Sequence, residues 1–268
     1  MKIDTVSYSS LKDFEKCAHY YKIGYVDHIK LFDSTIETIF GKLIHKCCQN
    51  ILKAGQEKNG MEYFEKAWDK FSRLYKKYIS TKQADYLKDS GLNILENVKS
   101  SIEKSFGKIK YEVFSTEEKI EMMALENHTQ RIKGFIDIVF KTEANEYEIS
   151  DFKTCNSIYL WKKYLNKETE RQLVLYKNYF SRKHDIKLKD IIISFILLEK
   201  NPKSKNPVQI VQVTSGKKKI GNHLSYLNNR LTILDNINFF PKNRLNCSMY
   251  NGCVLDGTVF CKKQNHFS

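Results

Sequence analysis

Three residues in one stretch have the types and spacing for cation and phosphate chemistry. Asp137 sits inside the apolar run FIDIVF, and Asp151 stands two residues before Lys153 in EISDFKT. A carboxylate flanked by Ile136 and Ile138 is costly to bury unless positive charge meets it. Residues 131 to 141 and 147 to 154 read as two β-strands folded back across the polar turn TEANE. The register that closes this loop sets Asp137 opposite Asp151, and the alternation of side chains puts Asp151 and Lys153 on one face. Facing carboxylates repel unless one stays protonated or a cation lies between them. Two hard oxygen ligands suit Mg2+ or Mn2+, which lowers the pKa of a water and clamps a phosphate oxygen. Lys153 then orients that water or stabilises charge developing on the phosphate. The competing arrangement is a plain ion pair of Asp137 with Lys153, with Asp151 facing solvent at the strand end.

Several elements must position these side chains. The segment SSLKDFEKCAHYYKIGYV predicts a first helix, opened by a capping box of Ser10 with Asp13 and carrying Leu11, Phe14, Cys17 and Tyr21 on one face. A second helix is expected over 36 to 54, stopped by Gly55 and carrying His45 four residues after Gly41. Two amphipathic stretches within about 59 to 108 form a helical insertion. From Lys110 onward the period shifts to two, and KYEVFST, KIEMMAL, RIKGFIDIVF and EYEISDFKT read as separate strands. A helix over about 168 to 181, the strands DIIISFILLE and PVQIVQVT, and a lysine-rich helix complete an α/β sandwich.

The 268 residues, 41% apolar and 13% aromatic, are enough for a sizeable core, and with 3 Pro and 11 Gly no linker or repeat stands out. One domain over 1–268 is expected, with a cysteine-bearing tail from about 240. Forty-five Lys and Arg against 31 acidic residues give a charge of +14, which favours a polyanionic partner, although lysine is spread along the chain. The N-terminus lacks a signal pattern and the run IIISFILL is too short to span a bilayer, so a soluble, cytoplasmic protein is expected. Seven cysteines, an odd number, argue against a disulfide framework; Cys47, Cys48 and Cys155 read as structural.

The order GFIDIVF, hairpin, EISDFKT resembles the core motif of the PD-(D/E)xK nuclease superfamily, with Asp137 as the first acidic residue and Asp151-Phe152-Lys153 as the D-x-K element. Ile136 stands where that motif has proline, and an additional upstream glutamate is Glu117 or Glu118. GKLIHK with His45, RQLVLYKNYF with Gln172 and Tyr176, and YSSLKDFEKCAHYYKIGYV resemble the RecB/AddB branch, which includes CRISPR-associated exonucleases and phage relatives. The resemblance implies a restriction-endonuclease-like core with a central mixed sheet flanked by helices. It also implies that His45, Asp137, Asp151 and the Phe152 carbonyl hold Mg2+ or Mn2+, while Gln172 and Tyr176 reach a phosphate or steady Lys153. The implied activity is a metal-dependent DNA exonuclease of repair, recombination or phage DNA processing, with a helicase, recombination or CRISPR partner possible.

In the same branch one N-terminal and three C-terminal cysteines ligate a [4Fe-4S] cluster; here Cys17, Cys247, Cys253 and Cys261 supply thiols in that order, at looser spacings. A zinc site on the same four thiols and a metal-free packed tail are the alternatives. Two other functions compete with the nuclease. One is a catalytically silent nucleic-acid-binding subunit; the other, a small-molecule metal hydrolase, leaves the excess positive charge without a role.

Overall fold

The computed structural model describes residues 3–29, 35–54, 57–75, 77–247, 253 and 255–261. Its elements in chain order are β1 (Thr5–Val6), α1 (Tyr8–Lys16), α2 (Ala18–Tyr21), α3 (Ile36–Ala54), α4 (Glu57–Leu74), α5 (Thr81–Phe106), β2 (Tyr111–Met123), β3 (Arg131–Thr142), β4 (Tyr147–Cys155), α6 (Ile158–Lys163), α7 (Lys167–His184), β5 (Ile191–Glu199), β6 (Val208–Val213) and α8 (Lys217–Asn236). The strands run in the order β1-β3-β4-β5-β6, with β2 also paired to β3. β3 and β4 are antiparallel, β4 and β5 parallel, and β5 and β6 antiparallel. This is an α/β fold with a mixed central sheet flanked by helices, consistent with a restriction-endonuclease-like core. Parallel neighbours need a crossover, and α6 with α7 supplies it between β4 and β5. Among the described residues no helix is long and apolar enough to cross a membrane.

The chain divides into two compact units. The larger comprises Thr35–Ile120 and Phe135–Leu224. In it, Ile138, Phe140, Phe152, Ile196 and Leu198 point from one sheet face into a cluster with Phe40, Ile44 and Cys48 of α3, Phe64 and Trp68 of α4, and Ile94 and Val98 of α5. The insertion helices are therefore part of this core. Gly91 of α5 lies where the Phe64 ring presses on the helix and leaves no room for a Cβ, which justifies a residue that costs a helix about 1 kcal/mol relative to alanine. On the opposite sheet face α7 packs over β4 and β5, and Trp161 of α6 meets Phe195 edge-on at 5.0 Å.

The smaller unit comprises Met1–Ser34, Glu121–Gly134 and Ser225–Ser268. Here β1 pairs in parallel with the start of β3. A half-buried hydrogen-bond network joins His128, Gln130 and Asp235, and Arg230 meets Glu15 at 2.7 Å.

Three expectations about elements need correction. KYEVFST and KIEMMAL form one strand, β2, rather than two. The first helix does not run through to Val26: the chain is extended at Cys17, and a short α2 and a π-helical turn over Lys22–Val26 follow. Its capping box is Ser7 with Ser10, one turn earlier than Ser10 with Asp13, because the helix already starts at Tyr8. The expected cap at Gly55 lies outside the described residues.

Candidate active site

The site is built on the β3–β4 hairpin. Asn145 N–H bonds Thr142 O at 3.0 Å, and Asn145 adopts the left-handed backbone (φ 58°) that asparagine tolerates. Thr142 N–H then closes on Glu146 O at 2.9 Å, giving a turn followed by a one-residue bulge. This fixes the register at Ile138 opposite Ser150 and Val139 opposite Ile149. One step beyond those pairs stand Asp137 and Asp151. Ile136 and Ile138 point to the apolar face, so the neighbouring carboxylate between them necessarily points to the other.

The carboxylates are held differently. Asp137 Oδ2 accepts from Phe152 N–H at 2.8 Å. Asp151 is only 4% exposed, and its Oδ2 lies 2.5 Å from Lys153 Nζ. The competing arrangement is thereby corrected: Lys153 pairs with Asp151, and Asp151 is buried rather than facing solvent. Side chains two apart on a strand share a face, and burial removes the water that would otherwise compete for them.

The electrostatics reflect two carboxyl groups competing for the charge of one lysine. Burial, then the Asp151 charge, pushes the Asp137 carboxyl up to about 8, against the smaller opposing effect of the Phe152 N–H. Burial disfavours the Lys153 charge, but Asp151 and Asp137 outweigh it and raise the ammonium above its ordinary value. His45, brought in by α3, lies with Nδ1 3.6 Å from Asp137 Oδ2. Burial lowers the His45 imidazole to about 4, with Asp151 opposing and Lys153 assisting, so the ring is neutral at pH 7. Its Nε2 is buried without a hydrogen-bond partner.

Two further side chains reach this spot. Gln49 donates through Nε2 to Asp137 O at 3.0 Å and to Glu117 Oε1 at 2.6 Å. Nothing in the sequence reading singled out Gln49. The usable signal was its spacing, since Gly41, His45 and Gln49 recur at four-residue steps on one helix face. Gly41 packs closely, where a Cβ would lie 3.5 Å from Thr154 Oγ1.

The choice between Glu117 and Glu118 is also decided by geometry. Glu117 has a left-handed backbone (φ 53°) inside β2. The bonds flanking the β2–β3 pairing, Ala124 N–H to Gln130 O and Glu143 N–H to Lys110 O, differ in register by one residue. An extra residue in β2 accounts for both observations, and such a bulge re-aims a side chain. Glu117 is turned to Gln49, whereas Glu118 is held by Lys183 at 2.6 Å and His184 at 2.9 Å.

From α7, Tyr176 and Gln172 approach as expected from their four-residue spacing. Gln172 Nε2 donates to Tyr176 OH at 3.3 Å. Burial raises the Tyr176 phenol, and the charges of Asp151 and Asp137 add to that, which places its hydroxyl near the carboxylates.

Among the described residues no three His, Cys, Asp or Glu side chains converge as a ready-made cation site. Lys153 engages Asp151, and Phe152 N–H engages Asp137. The donor set nevertheless fits a divalent cation. A buried carboxylate paired with Lys153 and a half-buried one face each other across the hairpin, and a neutral imidazole nitrogen beside them has no partner. The Phe152 side chain is buried beside His45, with rings 5.5 Å apart.

The four candidate thiols lie in the smaller unit. Cys17 Sγ accepts from Asn243 N–H at 3.4 Å, and Cys247 Sγ donates to Asn243 O at 3.8 Å. Cys253 N–H bonds Cys247 O at 3.1 Å, and Cys253 packs against a patch of Ile23, Leu255 and Cys261. The chain ends thus bring the thiols into one neighbourhood without three of them meeting as ligands among the described residues. Cys47, Cys48 and Cys155 are buried.

A mixed sheet presenting two carboxylates and a lysine from adjacent strands defines a nuclease-type core. The chain belongs to the PD-(D/E)XK nuclease superfamily, whose family model matches residues 5–253. It is also similar to the crystal structure of a candidate exonuclease from Eubacterium rectale, with a TM-score of 0.55 at 12% identity over 91% of this chain and 86% of that one. That likeness is one of fold. The structure of SSO0001 aligns with a TM-score of 0.34 at 16% identity over 92% of each chain. No curated protein matches the sequence. Enzymes of this superfamily generally use divalent metals such as Mg2+, and their substrates are nucleic acids.

Proposed function

We propose that this nuclease is a Mg2+- or Mn2+-dependent deoxyribonuclease of the RecB/AddB type, acting as an exonuclease in DNA repair, recombination or phage DNA processing. The observation that carries the reading is the pair of carboxyls on adjacent strands, half-buried Asp137 and buried Asp151, with Lys153 on Asp151 and an unpartnered His45 Nε2 alongside. His45, Asp137 and Asp151, with the Phe152 carbonyl, would hold the cation. A divalent ion there supplies Lewis-acid charge to a phosphate oxygen and lowers the pKa of a water.

The chain's own groups do the remainder. The neutral His45 ring offers a lone pair instead of a repelling charge. The raised pKa of Asp137 comes from burial and from Asp151, so positive charge beside it would favour the ionised form. Lys153 is already charged and fixed 2.5 Å from Asp151, so it needs no reorganisation to orient a water or meet charge developing on the phosphate. Gln172 and Tyr176 steady the lysine side of the site, and Gln49 with Glu117 steadies the Asp137 side.

The test is digestion of end-labelled single- and double-stranded DNA with Mg2+, Mn2+ or EDTA, with Asp151→Ala alongside. Metal-dependent cleavage lost in the variant is expected, while DNA binding survives. Equal activity in variant and wild type removes the site.

The four thiols support a further part of the reading, a [4Fe-4S] cluster on Cys17, Cys247, Cys253 and Cys261, to which their shared neighbourhood and their type are suited. Protein purified anaerobically is expected to show broad visible absorbance that Cys253→Ala abolishes. A colourless protein with stoichiometric zinc sinks the cluster.

A further inference from the structure

A cavity of about 280 Å3 has walls from the end of β4, α6 and the start of α7; Cys155, Trp161, Tyr164, Leu165 and Thr169 line it. That volume is just under the roughly 300–1,000 Å3 of ordinary ligand pockets, so it suits one flat heterocycle better than a larger ligand. Both of its long walls continue from the site. Cys155 follows Lys153 by two residues on β4 and shares its face. Thr169, Gln172 and Tyr176 fall at three- and four-residue steps and form one stripe along α7. A strand running from the candidate site along these two walls would reach the cavity.

The rim has the chemistry of a stacking platform. Tyr164 is 67% exposed and Leu160 49%, an unusual display of apolar surface for side chains that line a cavity. Trp161 is set firmly by its edge contact with Phe195. Lysines lie along the same segment: Lys163 Nζ lies 5.5 Å from the centre of the Tyr164 ring, Lys162 Nζ donates to Gln209 Oε1 at 2.9 Å, and Lys167 opens α7, whose first turn also carries Glu168 and Glu170. Aromatic faces between lysines match the two parts of an unpaired strand, flat bases and an anionic backbone. In a duplex those base faces are already stacked.

We propose that the α6–α7 cavity is a subsite for an unpaired DNA strand, stacking a base on Tyr164 and Trp161 next to the cleavage position. This rests on the nuclease reading for its substrate, but its test reads binding alone. The probe is fluorescein-labelled oligo(dT), followed by anisotropy in EDTA, with blunt duplex and oligo(U) as comparison probes. Tyr164→Ala is expected to weaken oligo(dT) binding about ten-fold, in keeping with roughly 1–3 kcal/mol for a stacked base, and Tyr164→Phe to retain it. Duplex binding should stay unchanged. Tyr159→Ala is the control, since Tyr159 is exposed on α6 but does not line the cavity.

Unchanged oligo(dT) affinity in Tyr164→Ala overturns the subsite, as does an equal loss in Tyr159→Ala or a loss confined to oligo(U). Cleavage by the wild type together with Tyr164-independent binding sinks the subsite and leaves the nuclease. Tyr164-dependent binding without cleavage under any metal sinks the nuclease reading and upholds the subsite.

Discussion

Among the described residues two histidine–aspartate pairs stand in partly buried settings, and they are built to opposite ends. In the smaller unit His128 Nδ1 meets Asp235 Oδ2 at 2.8 Å and Nε2 meets Asn228 Oδ1 at 3.0 Å, while Gln130 donates to the other Asp235 oxygen. The Gln130 hydrogen bond, with further help from His128, holds the Asp235 carboxyl below its usual value despite some burial. In the larger unit His45 stands 3.6 Å from Asp137, its second nitrogen is unpartnered, and the acid beside it is pushed up to about 8. The first pair satisfies its atoms and strengthens the fold. The second leaves polar atoms waiting, at a cost that a purely structural site has no reason to carry.

If that contrast is correct, substitutions at the two places separate activity from stability. The largest effect should come from Lys153→Met, expected to lower DNA cleavage by about three orders of magnitude while leaving a folded protein, read by gel assay and circular dichroism. His45→Ala should follow, with cleavage down roughly 10- to 100-fold and little change in denaturant midpoint, because it removes an unsatisfied buried nitrogen. His128→Ala should invert the pattern. It is expected to cost about 2–3 kcal/mol in urea unfolding with unchanged cleavage per folded molecule. Equal stability losses at both histidines break the comparison.

A smaller effect sharpens it through pH. Asp137 has a folded pKa of about 8 against roughly 3.9 in an unfolded chain. A raised acid favours folding while protonated, so its contribution is complete below the unfolded value and is lost as pH rises through about 8. His45 acts in the other sense, since its lowered folded value costs stability as pH falls from 6.5 toward about 4. Of these two groups Asp137 carries most of the change above pH 6.5. In EDTA, wild-type melting temperature should therefore fall between pH 6.5 and 8 relative to Asp137→Asn, and Mg2+ should restore it in the wild type alone. Parallel pH curves remove the raised carboxyl.

The hairpin was the most legible part of the sequence. A five-residue polar turn between strands of period two allows only one register that keeps the isoleucines inside, so Asp137, Asp151 and Lys153 could be grouped from spacing. The larger strand errors came from β2, where alternation breaks at the Glu117 bulge and makes one strand read as two. Bulges are written in backbone angle, and a glutamate gives no local sign of a left-handed conformation. Gln49 was missed for a related reason. A glutamine on a helix carries no chemistry of its own, and its role appears only when the sheet brings Glu117 and the Asp137 carbonyl within reach. The break at Cys17 was hidden because its flanking residues keep a helical spacing that the backbone abandons.

The smallest effect distinguishes the two adjacent glutamates of β2. Burial pushes Glu118 up, but hydrogen bonds from Lys183 and His184 outweigh it and hold the carboxyl below its usual value. Glu118 is thus satisfied in the manner of Asp235. Glu117 instead shares the Gln49 amide with the backbone of Asp137, and it is turned there by a backbone conformation that L-residues adopt at some cost. Glu118→Gln should consequently lower stability by about 1 kcal/mol and spare cleavage. Glu117→Gln should reduce cleavage several-fold with melting temperature unchanged, and Glu117→Gly, which relaxes the left-handed strain, should stabilise the protein while losing activity. A Glu117→Gly protein that is both less stable and fully active would place the bulge on the structural side of the comparison, with His128.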